Sequence, residues 1–408
     1  MSRFLFVVPP LVGHVNPTVA VAAELTRRGH RVAWAGHPGL VGELAGPGAE
    51  VHPCATPADP HRPPHLRGVA ALRFLWQDFL APLATAMAPG VERAAAVFRP
   101  DVVVADQQAL AGALTAERLG IPWATSATTS AEFSGALSAM PKVEEWIRAL
   151  LAGLRGTLGD PARTHDPRFS PDLVLAFTTP ALTGACAPPP QTRFVGPALA
   201  RRRPSAADFP WAWLDPARHT VLVSLGTANT DLGGRFLAEC AAAVRERAPH
   251  VQAVVADPGG ALDGPSDDTV LALRRVPQPA LLGRASAVVC HAGHNTVAES
   301  LLHGVPLVVA PIRDDQPVIA HQLTTAGAGI RIRFGRADRH AIGAALDAVL
   351  TTPRYRAAAH RVGESFRAAG GAAAAATHLE ELAPAGPSPT EQSPTEQSLT
   401  GQGGPGRP

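Results

Sequence analysis

At 408 residues, with 46% apolar and 17% charged side chains, the chain is long enough for two or three domains and apolar enough to bury a core over most of its length. A net charge of +2 excludes an electrostatic footprint for nucleic acid or an anionic membrane, and 36 basic residues of which only Lys142 is lysine reflect compositional bias rather than a phosphate-binding surface. Cys54, Cys186, Cys240 and Cys290 form no CxxC pair, which argues against a disulfide framework or zinc ribbon and for a reducing cytosol.

The opening apolar run ends at Pro9-Pro10 and has no basic flank, so it reads as a buried strand (Phe4 to Val8) rather than a signal peptide. Asn16 and Pro17 fit the cap and first position of a helix running to Gly29. Arg31–Ala35 and Asp101–Ala105 are further strands, the latter followed by a helical stretch to Gly120. Helix and loop fill Ser130 to Pro190, and a Pro- and Arg-rich stretch from 198 to 219, with Trp211 and Trp213, reads as an interdomain connection. The alternation then restarts, with strands at Thr220–Leu225, Val251–Ala256, Ala287–Cys290, Pro306–Ala310 and Gly329–Ile332. Two βαβ series predict two doubly wound parallel-sheet domains, 1–197 and 220–383, with ligands bound in the cleft between them. The Pro/Ser/Gln-rich tail, 384–408, with SPTEQ twice over, is expected to be disordered.

The residues richest in chemistry lie in HAGHNTVAESLLHGVPLVVAPIRDDQ, His291 to Gln316. A glycine turn entering a helix presents free N–H groups and a positive dipole end, an arrangement suited to a phosphate, with His291, Asn295 and Thr296 as side-chain donors. Thr296 and Glu299 also fit a capping box that needs no ligand. His291 and His294 find no third or fourth ligand for a metal at usable spacing. Asp315 and Gln316 follow the carboxyl end of the next strand. His14 and Asp106 fall at carboxyl ends of two strands of one sheet, where a carboxylate can orient an imidazole as a general base.

In family order, PPLVGHVNP, PDVVVAD, VSLGT, VPQ and the long signature resemble the inverting family 1 glycosyltransferases, which use nucleotide sugars to glycosylate natural products such as macrolides. The resemblance covers nearly all the chain before Pro384. It implies a GT-B fold, two Rossmann-like domains with the active site between them. It implies that His291 contacts the β-phosphate, Asn295 and Thr296 the α-phosphate, and Glu299 the ribose, with Gly293 in the turn between. Asp315 and Gln316 would hold donor-sugar hydroxyls, Ser224 and Thr227 would lie near the diphosphate, and Val276 and Gln278 would meet the base. Arg275 replaces the family's usual aromatic stacking residue and leaves uridine versus thymidine open, and Ile319 replaces a frequent Asn.

The resemblance further implies that His14 deprotonates the acceptor while Asp106 steadies the imidazolium, with inversion at the anomeric carbon. No cofactor or divalent metal is expected beyond the UDP- or dTDP-sugar co-substrate, and no D-x-D triplet occurs. The acceptor should be a small, hydrophobic natural product held by the N-terminal domain, with Trp76, Phe79 and Phe133 as candidates that fit ordinary core equally well. A nucleotide-sugar epimerase or hydrolase on the same fold, or a non-catalytic GT-B binding partner, are the alternatives. The sequence predicts a cytoplasmic enzyme with no membrane span and no nucleic-acid partner, and sets no oligomeric state.

Overall fold

The computed structural model describes residues 1–57, 62–63, 66–135, 137–138, 140–199, 209–226, 232–262 and 266–384. Strands Arg3–Val7 (β1), Arg31–Gly36 (β2), Val51–Pro53 (β3), Val102–Asp106 (β4), Trp123–Ala127 (β5), Leu173–Ala176 (β6) and Thr192–Phe194 (β7) form one parallel sheet in the order β3-β2-β1-β4-β5-β6-β7. Strands His219–Ser224 (β8), Val251–Ala256 (β9), Val270–Leu273 (β10), Ala287–Cys290 (β11), Leu307–Val309 (β12) and Gly329–Arg331 (β13) form a second, in the order β10-β9-β8-β11-β12-β13. The two-lobed architecture expected from the alternation is present.

Residue pattern explains both sheets. Helices cover each face, so central strands such as VVVAD and AVVC are buried on both sides and read as continuous apolar runs. Alternation still divides the faces. Phe4 and Phe6 enter one core and Leu5 and Val7 the other, while Leu222 opposes Val221 and Val223 in the second sheet. Each fully buried Val, Leu, Ile, Phe or Met side chain contributes about 1.5–3 kcal/mol. Chain order reverses between β1 and β4, and again between β8 and β11. Ligands of open α/β sheets sit at the carboxyl ends of strands at such reversals, which sets the position of the site.

Several local expectations are corrected. The first helix is Val12–Arg27, capped by Leu11, so Asn16 and Pro17 lie inside it. His14 therefore sits in its first turn rather than in a loop. The helix expected to begin near Thr296 is His294–Leu302, with Gly293 at its cap and no side-chain cap, so Thr296 is not the cap of a capping box. Between Ser130 and Pro190 the helix Pro141–Leu158 is joined by a strand, β6. Helix Gly371–Leu382 follows the second lobe in sequence but packs on the first, placing Ala375, Ala376 and Leu379 in its core. Glu380 there takes Arg28 and His30 of the first lobe at 2.6 and 2.8 Å. Of the connecting stretch, Phe209, Trp211 and Trp213 pack on the second lobe, and residues 200–208 lie outside the described ones. The tail beyond Pro384 also lies outside them.

Candidate active site between the lobes

In the first lobe His14 follows β1, and Asp106 is the last residue of β4, so the two flank the chain reversal. His14 Nδ1 lies 2.9 and 3.0 Å from the two Asp106 carboxylate oxygens. The Asp106 side chain is fully buried and His14 retains 16% exposure. Asp106 also accepts from the Gln108 amide at 2.8 Å and from the Thr128 hydroxyl at 3.0 Å. Thr128 Oγ1 is in turn 2.8 Å from His14 Nδ1. With Nδ1–H given to Asp106, Nε2 carries the lone pair. Burial opposes the imidazolium, but the charge and hydrogen bond of Asp106, with Asp315 and Glu132 adding their charges, raise the His14 pKa above 6.5.

Ser224 and His291 flank the reversal in the second lobe, since Ser224 ends β8 beside Cys290 at the end of β11. The Ser224 carbonyl accepts from the His291 ring, while His291 Nδ1 is buried without a partner. Burial, helped by Arg313, pulls the His291 pKa down to about 4, so the ring is neutral. Glycine is needed here for close approach. A Cβ on Gly226 would lie 2.8 Å from His291 Cε1, and one on Gly293 would overlap the same ring at Nε2. Ala292 between them adopts φ +66°, an uncommon conformation for a residue with a Cβ.

The structure brings most remaining candidates to this edge. Thr296 is buried in the first turn after Gly293. Gln278 donates to Glu299 at 2.7 Å, joining VPQ to the helix His294–Leu302. Val276 packs on the second core, and Arg275 is exposed. Asp315 precedes helix Gln316–Thr325, and Gln316 Oε1 accepts from the Ile312 and Arg313 amides at 2.9 and 3.0 Å, fixing the turn. Ile319 is core. Thr227 lies outside the described residues. Trp76 and Phe133 are enclosed in core clusters rather than lining an open apolar pocket, and Phe79 packs between the Trp76 cluster and the core that holds Leu5 and Val7. Among the described residues, no group of three or more His, Cys, Asp or Glu could hold a metal ion. No described helix is long and apolar enough to cross a membrane.

Hydrogen bonds join the two edges across the cleft. Pro17 has no N–H to give the carbonyl of Gly13 four residues back, and Asn295 Nδ2 donates to that freed oxygen at 3.1 Å. His294 donates to the Phe177 carbonyl at 3.1 Å. Thr129 donates to Asp315 at 2.8 Å, and Ser130 to Gln322 at 2.7 Å. Burial raises the Asp315 carboxyl above its ordinary range despite the Thr129 bond. Thr128, Thr129 and Ser130 thus address the imidazole–carboxylate pair, Asp315 and the following helix in turn. Sequence reasoning missed them because hydroxyl residues carry no spacing signature and the strand they follow, WATSA, mixes small polar residues and is itself hard to read.

Two parallel α/β lobes meeting at their carboxyl edges, with an imidazole–carboxylate pair facing an open helix N-terminus, define the GT-B class of sugar transferases. Residues 189–365 match the family described as UDP-glucoronosyl and UDP-glucosyl transferase. The chain is 30% identical over 412 residues to 4'-demethylrebeccamycin synthase of Lentzea aerocolonigenes, covering 90% of this chain and 96% of that protein. Its structure resembles the glycotransferase of kitacinnamycin, at TM-score 0.76 and 26% identity over 94% of this chain and 99% of that one. It also resembles the spinosyn rhamnosyltransferase SpnG complexed with thymidine diphosphate, at TM-score 0.73 and 24% identity over 93% of this chain and 100% of that one. The protein belongs to the family 1 glycosyltransferases, and it is a glycosyltransferase with the GT-B fold.

Proposed function

We propose that the enzyme transfers a sugar from a UDP- or dTDP-sugar to a small natural-product acceptor with inversion, and that His14 is the general base. The observation that carries this is the buried Asp106 carboxylate 2.9 Å from His14 Nδ1, which leaves the Nε2 lone pair to take a proton. Nε2 takes the acceptor's hydroxyl proton as that oxygen attacks the anomeric carbon. The new C–O bond forms as the bond to the phosphate oxygen breaks, and the diphosphate takes the departing electron pair.

The leaving charge develops at the uncapped N-terminus of helix His294–Leu302, whose amides are fixed beforehand. His291, Asn295 and Thr296 would hold the phosphates, Glu299 the ribose, Asp315 and Gln316 the sugar, and Arg275, Val276 and Gln278 the base. Thymidine diphosphate bound to the spinosyn enzyme supports a pyrimidine diphosphate donor. The family description supports UDP-sugars as well. No metal or other cofactor is needed in this reaction.

The test is a panel of nucleotide sugars and phenolic acceptors in EDTA, followed by mass spectrometry and NMR assignment of the new anomeric centre. A glycoside of opposite configuration to the donor is expected. His14→Ala should lower turnover about 10²-fold or more with nucleotide binding intact. Product formed only with added Mg²⁺ or Mn²⁺, or undiminished turnover of the His14 variant, would refute the mechanism.

A further inference from the structure

Near the catalytic pair, on the acceptor side, a small cleft of about 120 Å³ is lined by Glu132, Glu144, Arg148, Asp166 and Arg168 together with Leu137 and Ile147. Its rim charges cancel, since Arg148 and Glu144 pair at 3.9 Å one helical turn apart. Its inner charges do not cancel. There, two carboxylates, Glu132 and Asp166, share the single guanidinium of Arg168.

The sharing is unequal. Arg168 gives Asp166 a fork of bonds at 2.6 to 3.1 Å. Glu132 receives one bond from Arg168 at 3.2 Å and one from Gln108 at 3.3 Å. Charge-assisted N–H···O bonds run at about 2.7–2.9 Å, and a carboxylate has about four acceptor positions. Glu132 is therefore poorly served, although its side chain is only 10% exposed. Burial and the neighbouring Asp166 raise its carboxyl above the ordinary range even against Arg168. Arg168 spends most of its donors on Asp166. It lies over the rings of Trp76 and Phe169.

Gln108 ties the cleft to the reaction centre. Its backbone amide holds Asp106 at 2.8 Å while its side chain holds Glu132. An acceptor with its nucleophile at His14 would thus place a group one glutamine side chain away against an under-paired carboxylate.

Resting on the reading of this lobe as the acceptor side, we propose that the cleft is a subsite for a protonated amine on the acceptor, with Glu132 as its counter-charge. An ammonium group supplies both the missing positive charge and short N–H donors. A neutral hydroxyl supplies only the donor, and a carboxylate would meet two like charges.

Tyramine, N-acetyltyramine, tyrosol and 3-(4-hydroxyphenyl)propionate share a phenol and differ in the distal group. Their binding to the full-length protein, with UDP present and no sugar donor, can be measured by calorimetry. Tyramine should bind at least about 10-fold tighter than its acetylated and hydroxylated counterparts, and the propionate weakest. That preference should shrink as salt rises. Glu132→Gln should abolish it, with UDP affinity and melting temperature kept. The salt series on the unaltered protein gives a second reading that depends on no variant. Equal binding of all four probes, tighter binding of the propionate, no binding at all, or a preference that survives Glu132→Gln would overturn the subsite. Failure of sugar transfer with the amine preference intact would instead count against the proposed reaction alone.

Discussion

Replacing Asp106 with Asn keeps the shape of the imidazole partner and removes its charge. The pair is held at 2.9 Å with the carboxylate fully buried. At the ~4 Å between charge centres typical of such pairs, an effective dielectric of 20 gives about 4 kcal/mol of attraction for the imidazolium. If about half of the proton has transferred at the transition state, about 2 kcal/mol is lost there, or roughly 30-fold in rate. Asparagine also brings an amide NH₂ that can face Nδ1 and favour the wrong tautomer, so the expected fall in kcat is about 10²-fold or more.

The direction of the pH effect follows from the sign of the shift. Asp106 raises the His14 pKa above 6.5, and the base must be neutral, so kcat/KM should decline as pH falls through a value above 6.5. Without the charge, the burial that opposes protonation remains, and that limb should move to lower pH. Initial rates from pH 5 to 9, with nucleotide affinity and melting temperature as controls, measure both effects. A variant whose limb stays in place, or whose rate at pH 8 matches the parent, would refute the assignment of Asp106.

Thr128→Val keeps the shape but removes the hydroxyl that lies 2.8 Å from Nδ1 and 3.0 Å from Asp106. The loss of about 1–1.5 kcal/mol of orientation should cost roughly 10-fold in kcat with little change in KM. His291 is neutral in the free protein because burial pulls its pKa to about 4. A diphosphate beside it should raise that pKa, so UDP binding should take up a proton and strengthen as pH falls from 7 to 5. Calorimetry in buffers of different ionisation enthalpy reads this, and His291→Ala should abolish the uptake. Gly293→Ala puts a Cβ into the His291 ring. Overpacking of this kind costs about 1–3 kcal/mol, which should lower both the melting temperature and UDP affinity.

The parts of the molecule legible in the sequence are those where burial on both faces forces a continuous apolar run. Val251–Ala256 and Ala287–Cys290 are such cases. Trp123–Ala127 was not legible, because WATSA mixes small polar residues into a fully buried strand. Its Thr125 hydroxyl is satisfied at 2.7 Å by the Ser170 amide, a contact that sequence spacing cannot reveal. With that strand hidden, Thr128 at its end was hidden too. The histidine and aspartate of the first lobe were legible because their own strands were. Asn16-Pro17 misled for a physical reason. The pair mimics a cap and first position, whereas here the helix begins earlier and runs through the proline.

That proline links the local structure to the cleft. A proline inside a helix leaves the carbonyl four residues back without its donor, and Gly13 finds one in Asn295 of the opposite lobe. Asp315 is likewise occupied across the cleft, by Thr129. Both are residues proposed to hold the donor, so the contacts that join the lobes and those that would bind nucleotide sugar draw on the same residues. Each neutral hydrogen bond contributes only about 1 kcal/mol net, and one to a charged group about 1.5–3. The lobes are thus joined by a few kcal/mol at most at these two points, within reach of what a charged diphosphate and a sugar hydroxyl would supply in their place. A donor that takes Asn295 and Asp315 frees Gly13 and Thr129 at the same moment. The Gly13 carbonyl and the Thr129 hydroxyl would then need other partners, while the His294–Phe177 and Ser130–Gln322 bonds would still tie the two lobes together.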